Sequence, residues 1–498
     1  MKKLLFLGIL VCIGISLKAQ VNGKIMADTN NLTIIKVWGT HYERGFAYGS
    51  LMGSEITDVF DNYVKPLFGS YYSTARNIML QQDHLKVDSM YVNEAKAIIA
   101  GMDSAGTNTS NLDHLDILTG NSVLDVYKLL AGKSYDMGCS SLMSWGDATA
   151  GSNLNGKSAI SRHLDWMPDP AINDNQVICV HLPAESDEQP WASIGFASMI
   201  GALSGFNAEL GVFQHNMSDF NGSVAYGKQY EPVWFSLRKA IEKRDYNSDG
   251  ENNVQDLKAV MQEQNNGYAD GFIISALARA TGNSDSLVAM VAEVASEAPF
   301  TTFRYNDFPD SIPGDNLYTA NSQIARNDSM NFCTRYNNVK NAIGNGTNIG
   351  SAQNKSLLLN NSSWSNNIQF MQYIPEQDSF RISVYQKNVP AWQNPMAGFQ
   401  ISDLFDEPVG IHQKRAHDIN ISGYPNPCKD KLTIRGLKNL NGKVNISIYN
   451  LKGQEIQTET MNDPSGPYLL NVDDISPGVY IIQIQSAEQT KALKVVKQ

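Results

Sequence analysis

The 498-residue sequence predicts an α+β protein, with a helical and β-rich body followed by a small C-terminal β-sandwich. Three patterns carry that expectation. Helical periodicity runs from His41 to about Leu130. Strands joined by turn-forming residues begin at Cys139. Short alternating strands with Gly, Pro and Asn turns fill the chain from about Asp418.

The chain opens with "MKKLLFLGILVCIGISLKAQ", where two lysines precede an apolar run and a small residue, Ala19. This is the pattern of a secretory signal over residues 1–19, with cleavage expected after Ala19. Cys12 follows Val11 inside the run, a poor fit to a lipoprotein signal. No later run approaches the roughly 18 apolar residues of a spanning helix, so no membrane span is expected. The length argues for two or three domains. Hydrophobic residues make up 42%, enough for globular packing, and the net charge is −11. Nucleic-acid binding is not expected, because it needs clustered Lys and Arg. Without the signal, Cys139, Cys179, Cys333 and Cys428 are left, far apart and with no CxxC pair. That argues against a disulfide scaffold and against a cysteine metal site.

Within the body, "LTIIKVWG" reads as a strand and His41 to about Val64 as a helix. Gly45, Gly49 and Gly53 recur on one face of that helix. Glycine weakens a helix, so its repetition points to close backbone packing. "CSSLMSWGD", "ATAGSNLNGK" and "SAISRHLDW" read as strand, turn and strand, which is a hairpin. Further strands are expected at "NQVICVHLP", "WASIGFAS" and "ELGVFQHN". Pro232 to about Ala298 reads as mostly helical. The stretch 337–367 is rich in Asn, Gly and Ser and reads as loops around short strands.

"DYNSDGENNVQD", residues 245–256, fits a twelve-residue calcium loop. Asp245, Asn247 and Asp249 take positions one, three and five, and Gly250 supplies the turn at six. Glu251 offers its carbonyl at seven, Asn253 sits at nine and Asp256 at twelve. Helical patterns flank the loop on both sides, so a structural Ca2+ is expected. The alternative is an Asx-rich turn without metal.

The lone Cys139 follows Gly138 at the head of a strand. A thiol becomes a nucleophile only as thiolate, so it needs a base or a cation beside it. One solution is a histidine, and His163 and His215 are candidates, although the papain-type aromatic residue after the cysteine is missing. Another is the cysteine's own α-amine, whose pKa of about 7.7–8 leaves a neutral fraction near neutral pH. That solution requires a cut between Gly138 and Cys139. Glycine at 138 gives the thiol access to the preceding carbonyl and tolerates a strained φ.

"GCSSLMSWGDATAGSNLNGKSAISRHLDW" resembles the autoproteolytic N-terminal-nucleophile acylases, relatives of isopenicillin N acyltransferase, penicillin V acylase and choloylglycine hydrolase. "GTHYERGFAYG" resembles the opening of the acyltransferase branch. The resemblance implies an αββα N-terminal-nucleophile fold, a pro-segment over 20–138 and a catalytic chain over 139–415. It implies Cys139 as nucleophile and Asp165 as the residue that orients the amine. Arg162 would favour the thiolate, Asn216 would build the oxyanion hole, Asn321 would orient the amine or scissile carbonyl, and Arg335 would lie near the nucleophile. His163 and His215 flank these positions and read as structural. Cys179 and Cys333 read as core thiols, and Tyr71 and Tyr72 as candidates for the acyl pocket.

The last segment, 418–498, carries Tyr-Pro-Asn-Pro, "YNLKGQ", "SPGVYIIQI" and a terminal Lys-Val-Val-Lys. It resembles the type IX secretion C-terminal sorting domain. That implies engagement of the type IX machinery, passage through the periplasm and outer membrane, and a secreted or surface location. The expected function is hydrolysis or transfer of an acyl group from a small N-acyl amide, with no cofactor for catalysis. A papain-like peptidase and a non-catalytic surface binding protein on a decayed acylase fold are the rival readings.

Overall fold

Apolar runs become strands here because both faces of most strands are covered. The computed structural model describes residues 21–29, 31–135, 138–216, 227–309, 312–326, 333–406, 421–437, 440, 442–450, 454–462, 464, 466–486 and 490–498. The expected signal, 1–19, and the stretch 407–420 lie outside them. The chain divides into a unit up to Asp406 and another from Glu407. Strands of the first unit are, in order, β1 (Gly23–Thr29), β2 (Leu32–Gly39), β3 (Gly138–Ser144), β4 (Ala159–Asp165), β5 (Gln176–Pro183), β6 (Trp191–Phe196), β7 (Ser204–Phe206) and β8 (Leu210–Asn216). They continue as β9 (Phe272–Ala278), β10 (Ala289–Val294), β11 (Thr301–Arg304), β12 (Asn316–Thr319), β13 (Asn367–Ile374), β14 (Ser379–Val384) and β15 (Ala397–Gln400).

These strands form two sheets, ordered β1-β2-β5-β6-β7-β8-β9-β10-β11 and β12-β3-β4-β13-β14-β15. The β2–β5 pair is parallel, so the segment before Cys139 is built into the first sheet beside the segment after it. Side chains alternate between two apolar clusters. On β9, Phe272, Ile274 and Ala276 pack toward the helices, while Ile273 and Leu277 pack toward the second sheet. Met143, Ile160, Met371 and Tyr373 of the second sheet meet that inner face. On its outer face, Leu142 and Phe370 pack with Val339 and Leu358 of helices Thr334–Ala342 and Ser351–Ser362. The first unit is thus mixed α+β in four layers, with helices outside two facing sheets.

Two expectations are corrected. Helices Val233–Glu242 and Val254–Gln262 do occur, but β9 and β10 follow them in the stretch read as helical. Both strands are buried on both faces, so their apolar runs carry no period that separates strand from helix. The stretch 337–367 holds most of two helices rather than loops. Their Asn-rich sequence is a poor helix former, overridden by the packing of Tyr336, Val339, Leu357 and Leu358.

The helix His41–Val59 is capped by Thr40 in a capping box with Glu43 and lies against helix Ser89–Ala105. A Cβ on Gly49 would fall 1.9 Å from the Ile98 carbonyl oxygen, so the glycine repeat does mark close packing. At the head of this helix sits a buried charge cluster. His41 contacts Glu94 at 2.7 Å and Glu188 at 3.0 Å. Arg44 contacts Glu185 and Glu188 at 3.0 Å each. Arg238 contacts Glu94 at 2.8 Å and Glu242 at 2.6 Å. His41, Glu185 and Glu188 lie close enough to hold a cation. Arg44 already pairs with both carboxylates and Lys243 with Glu188 at 3.2 Å, so the cluster reads as an ionic core.

The second unit has two antiparallel sheets. One holds Ser422–Tyr424, Lys431–Arg435 and Tyr468–Asn471. The other holds Glu455–Asn462, Lys443–Asn450, Gly478–Gln485 and Thr490–Lys497. Leu432, Ile434, Val444, Ile446, Ile482 and Ile484 are in its core. Among the described residues no helix is long and apolar enough to cross a membrane.

Burial opposes charge on His41, but its hydrogen bonds to Glu188 and Glu94 outweigh it and raise the pKa to about 9. The unfolded value is 6.5, lower than the folded one. The stabilisation is therefore complete below that value and is lost as pH rises through about 9. Denaturant unfolding across this window should show stability falling in the parent and a weaker pH dependence in His41→Gln. Parallel curves would mean that His41 carries no charge in the cluster.

Candidate active site

The β3–β4 hairpin sets the first half of the site. Gly138 lies opposite Asp165, Cys139 opposite Leu164 and Ser141 opposite Arg162. Alternation then puts Cys139, Ser141 and Arg162 on the face toward the first sheet and Asp165 on the other. Cys139 and Arg162 are fully buried. Arg162 Nη2 lies 3.8 Å from Cys139 Sγ and donates to the Gln214 carbonyl at 2.8 Å. Nε and Nη1 of Arg162 have no hydrogen-bond partner among the described residues. Burial pushes the Cys139 thiol up to about 11, Arg162 pulls it down, and Asp165 pushes it up. The thiol is therefore protonated near neutral pH.

The second half comes from the helix side. Asp165 Oδ2 accepts from Arg335 Nη1 at 2.9 Å, and Oδ1 accepts from Asn367 Nδ2 at 3.0 Å. Arg335 Nη2 also donates to Asn321 Oδ1. That same oxygen accepts from the backbone N–H of Cys139 at 3.3 Å. Asn321 Nδ2 donates to the Asn216 carbonyl at 2.6 Å. Asn216 Nδ2 donates to the carbonyl of Tyr135, three residues before Gly138, at 3.2 Å. Cys139, Arg162, Asp165, Asn216, Asn321 and Arg335 thus converge on one buried network at the Gly138–Cys139 peptide. Gly138 is outside the left-handed region, so strained φ is not its reason. Space is: a Cβ there would lie 3.3 Å from Asp165 Cβ and 3.4 Å from its Oδ2.

The histidines stand apart from the thiol. His215 Nε2 bonds Ser141 Oγ at 2.8 Å and Nδ1 bonds the Ile273 carbonyl at 3.1 Å. His163 stacks on Phe370 on the helix side. Burial lowers both, His163 to about 4, so both are neutral. Cys179 is a core thiol. Cys333 is half-buried instead: burial raises its pKa, but the neighbouring Arg335 brings the net shift downward. Tyr71 is exposed, and Tyr72 bonds Asp116, so neither lines a pocket beside Cys139.

Sequence reasoning missed Asn367, which holds the second oxygen of Asp165, and Tyr135, which occupies the Asn216 amide. Neither lies in a motif; both arrive by tertiary folding. Tyr135 packs at a tilt against Trp166, with ring centroids 5.4 Å apart, and the Tyr63 and Tyr135 hydroxyls bond at 2.9 Å. Behind them is a small apolar cavity of about 20 Å³ lined by Val59, Tyr63, Val123, Trp166, Phe196 and Trp234. Cys139 and Leu164 belong to the same apolar cluster.

In the calcium-type loop, Asp245 accepts from the N–H groups of Asp249 and Gly250 at 3.0 and 2.8 Å. Asn247 Oδ1 accepts from Asp249 N–H at 3.1 Å, and Asp249 Oδ1 from Glu251 N–H at 3.0 Å. Asn253 caps the following helix, and Asp256 closes a capping box while also binding Tyr246 N–H at 2.6 Å. Burial, with Asp249 adding to it, raises the Asp256 pKa.

Residues 422–498 match the family described as the secretion system C-terminal sorting domain. The second unit carries a type IX sorting domain, so the chain is destined for the cell surface or for secretion through the outer membrane. Protein dcd1B and Protein dcd1A of Dictyostelium discoideum are 25% and 26% identical to this chain over 240 and 238 residues. Those alignments cover 46% and 44% of this chain, and 47% and 52% of the two proteins. The chain thus spans about half the length of the curated relatives it matches. A solved structure, dimeric latent PorU from Porphyromonas gingivalis, aligns with 72% of this chain and 34% of its own. The TM-score is 0.14 and the sequence identity 10%.

Removing one partner of a buried ion pair leaves an uncompensated charge, at a cost of about 3–5 kcal/mol. Arg335→Gln should therefore destabilise the first unit by about that amount, read by denaturant unfolding. A loss below about 1 kcal/mol, the range of an exposed pair, would contradict the buried Asp165–Arg335 contact.

Proposed function

We propose that this protein is an exported cysteine N-terminal-nucleophile amidohydrolase or acyltransferase, activated by its own cleavage at Gly138–Cys139. The observation that carries the reading is the convergence of six residues on one buried network around Cys139. The four-layer αββα arrangement of the first unit agrees with it. Once Cys139 is residue one of a chain, its α-amine lies among Asn321 and the Asp165–Arg335 pair. Asp165 and Asn321 orient the amine, which takes the thiol proton. Arg162 then neutralises the thiolate, its Nε and Nη1 being otherwise unused. Withdrawal of Tyr135 frees the Asn216 amide to donate to a tetrahedral oxyanion, a role that contributes about 3–4 kcal/mol where it has been measured. The thiolate attacks an N-acyl carbonyl, the amine leaves, and water or an acceptor resolves the thioester.

The Cys–His alternative has little support, because both rings of His215 and His163 are engaged elsewhere and kept neutral by burial. Intact mass and N-terminal sequencing of the secreted protein decide the matter. The parent should give a fragment beginning Cys-Ser-Ser, and Cys139→Ala a single inactive chain. Asp165→Asn should nearly eliminate amide turnover, while Arg162→Lys keeps part of it with a raised thiol pKa. A fully active uncut chain would falsify the mechanism.

We also propose that residues 245–256 hold a structural Ca2+. The side chains of Asp245, Asn247 and Asp249 already fold into the loop, and Asp249 and Asp256 repel each other without a cation. Added Ca2+ should raise the melting temperature through linkage. Asp249→Ala should abolish that gain and leave the cut at Gly138 unchanged. An unchanged melting temperature and metal content after chelation would reduce the loop to a turn.

A further inference from the structure

The outer face of the second sheet carries a cleft of about 380 Å³ between β13–β15, helix Ser351–Ser362 and the segment 392–396. Its lining pairs two cations, Lys355 and Arg381, with an apolar wall of Leu359, Phe370, Trp392 and Met396. Among the described residues, neither cation has an ion pair or a hydrogen-bond acceptor. In the same unit, Arg44, Arg238, Arg304 and Arg335 each face a carboxylate. The wall is held before any ligand arrives. Phe370 stacks on His163 with ring centroids 4.6 Å apart. The Trp392 backbone N–H is bound by Asn367 Oδ1 at 3.1 Å, and its indole N–H by the Trp364 carbonyl at 3.0 Å. Gly398 leaves the remaining side open, since a Cβ there would meet only Arg381 Cγ, at 3.9 Å.

We propose that this cleft binds an amphiphilic carboxylate, with its headgroup between Lys355 and Arg381 and its apolar chain along Phe370, Trp392 and Met396. Its volume falls in the ~300–1,000 Å³ range of small-molecule sites. A neutral lipid would leave both cations unused, and a bare anion would leave the aromatic wall uncovered. Charge and apolar surface together select a molecule that has both. The inference stands apart from the chemistry at Cys139 and does not require it.

Calorimetric titration of the full secreted chain with decanoate, kept below its micellar concentration, tests this. Saturable binding is expected, with Lys355→Gln/Arg381→Gln weakening it at least about tenfold. Gly398→Leu, which fills the cleft and spares both cations, should weaken it by a similar factor. Decanol and decyltrimethylammonium should bind far more weakly, and inorganic phosphate should not compete. Both variants are at solvent-facing positions, and an unchanged melting temperature would exclude misfolding as the cause. No saturable decanoate binding, or equal affinity in parent and variants, would overturn the proposal. Competition by phosphate alone would overturn it too, by reducing the site to a bare anion site.

Discussion

The register of one hairpin governs the site. With Gly138 opposite Asp165 and Ser141 opposite Arg162, one guanidinium lands beside the thiol and one carboxylate beside the peptide that precedes it. The side-chain period of a strand is two, so a slip of one residue would exchange these faces. Arg162 would then point at the helices and Asp165 into the inter-sheet core. Burial of both faces of β3 and β4 forbids that slip. The same register makes a Cβ at position 138 a tight fit, 3.3 Å from Asp165 Cβ.

Electrostatics divide along the same line. On the inter-sheet side, a protonated thiol and a buried guanidinium sit together, and the guanidinium has no counter-charge until the thiol ionises. Burial holds the thiol up, and the cation opposes it, so the balance turns on what else enters the site. On the helix side, Arg335 already satisfies Asp165 and Asn321. The side-chain amides of Asn321 and Asn216 are occupied by the chain's own backbone, Cys139 N–H and the Tyr135 carbonyl.

The segment before Cys139 is not an appendage. It supplies two strands of the nine-stranded sheet, and β2 pairs with β5 in parallel. His41, Arg44 and Glu94 on one side meet Glu185, Glu188, Arg238 and Glu242 on the other. Breaking one partner out of such a buried cluster strands its counter-charge, which makes the two segments hard to separate.

The sequence by itself determined the local features. The hairpin, the glycine face of the first long helix, the loop at 245–256 and the sorting unit were legible because each rests on short-range chemistry. Turn residues, a four-residue glycine spacing, Asx side chains and strand alternation all act within a few residues. The six candidate site positions were named through a resemblance between motifs. The tertiary structure decided their mutual geometry, the ladder from Arg335 through Asn321 to Cys139, and the entry of Asn367 and Tyr135. It also decided that 272–278 and 289–294 are strands, because continuously apolar runs have no period to read. It turned an Asn-rich stretch into helices, because packing of a few apolar side chains on a sheet outweighs weak propensity. Contacts between residues a hundred or more positions apart obey charge and space, and neither is written in the order of the residues.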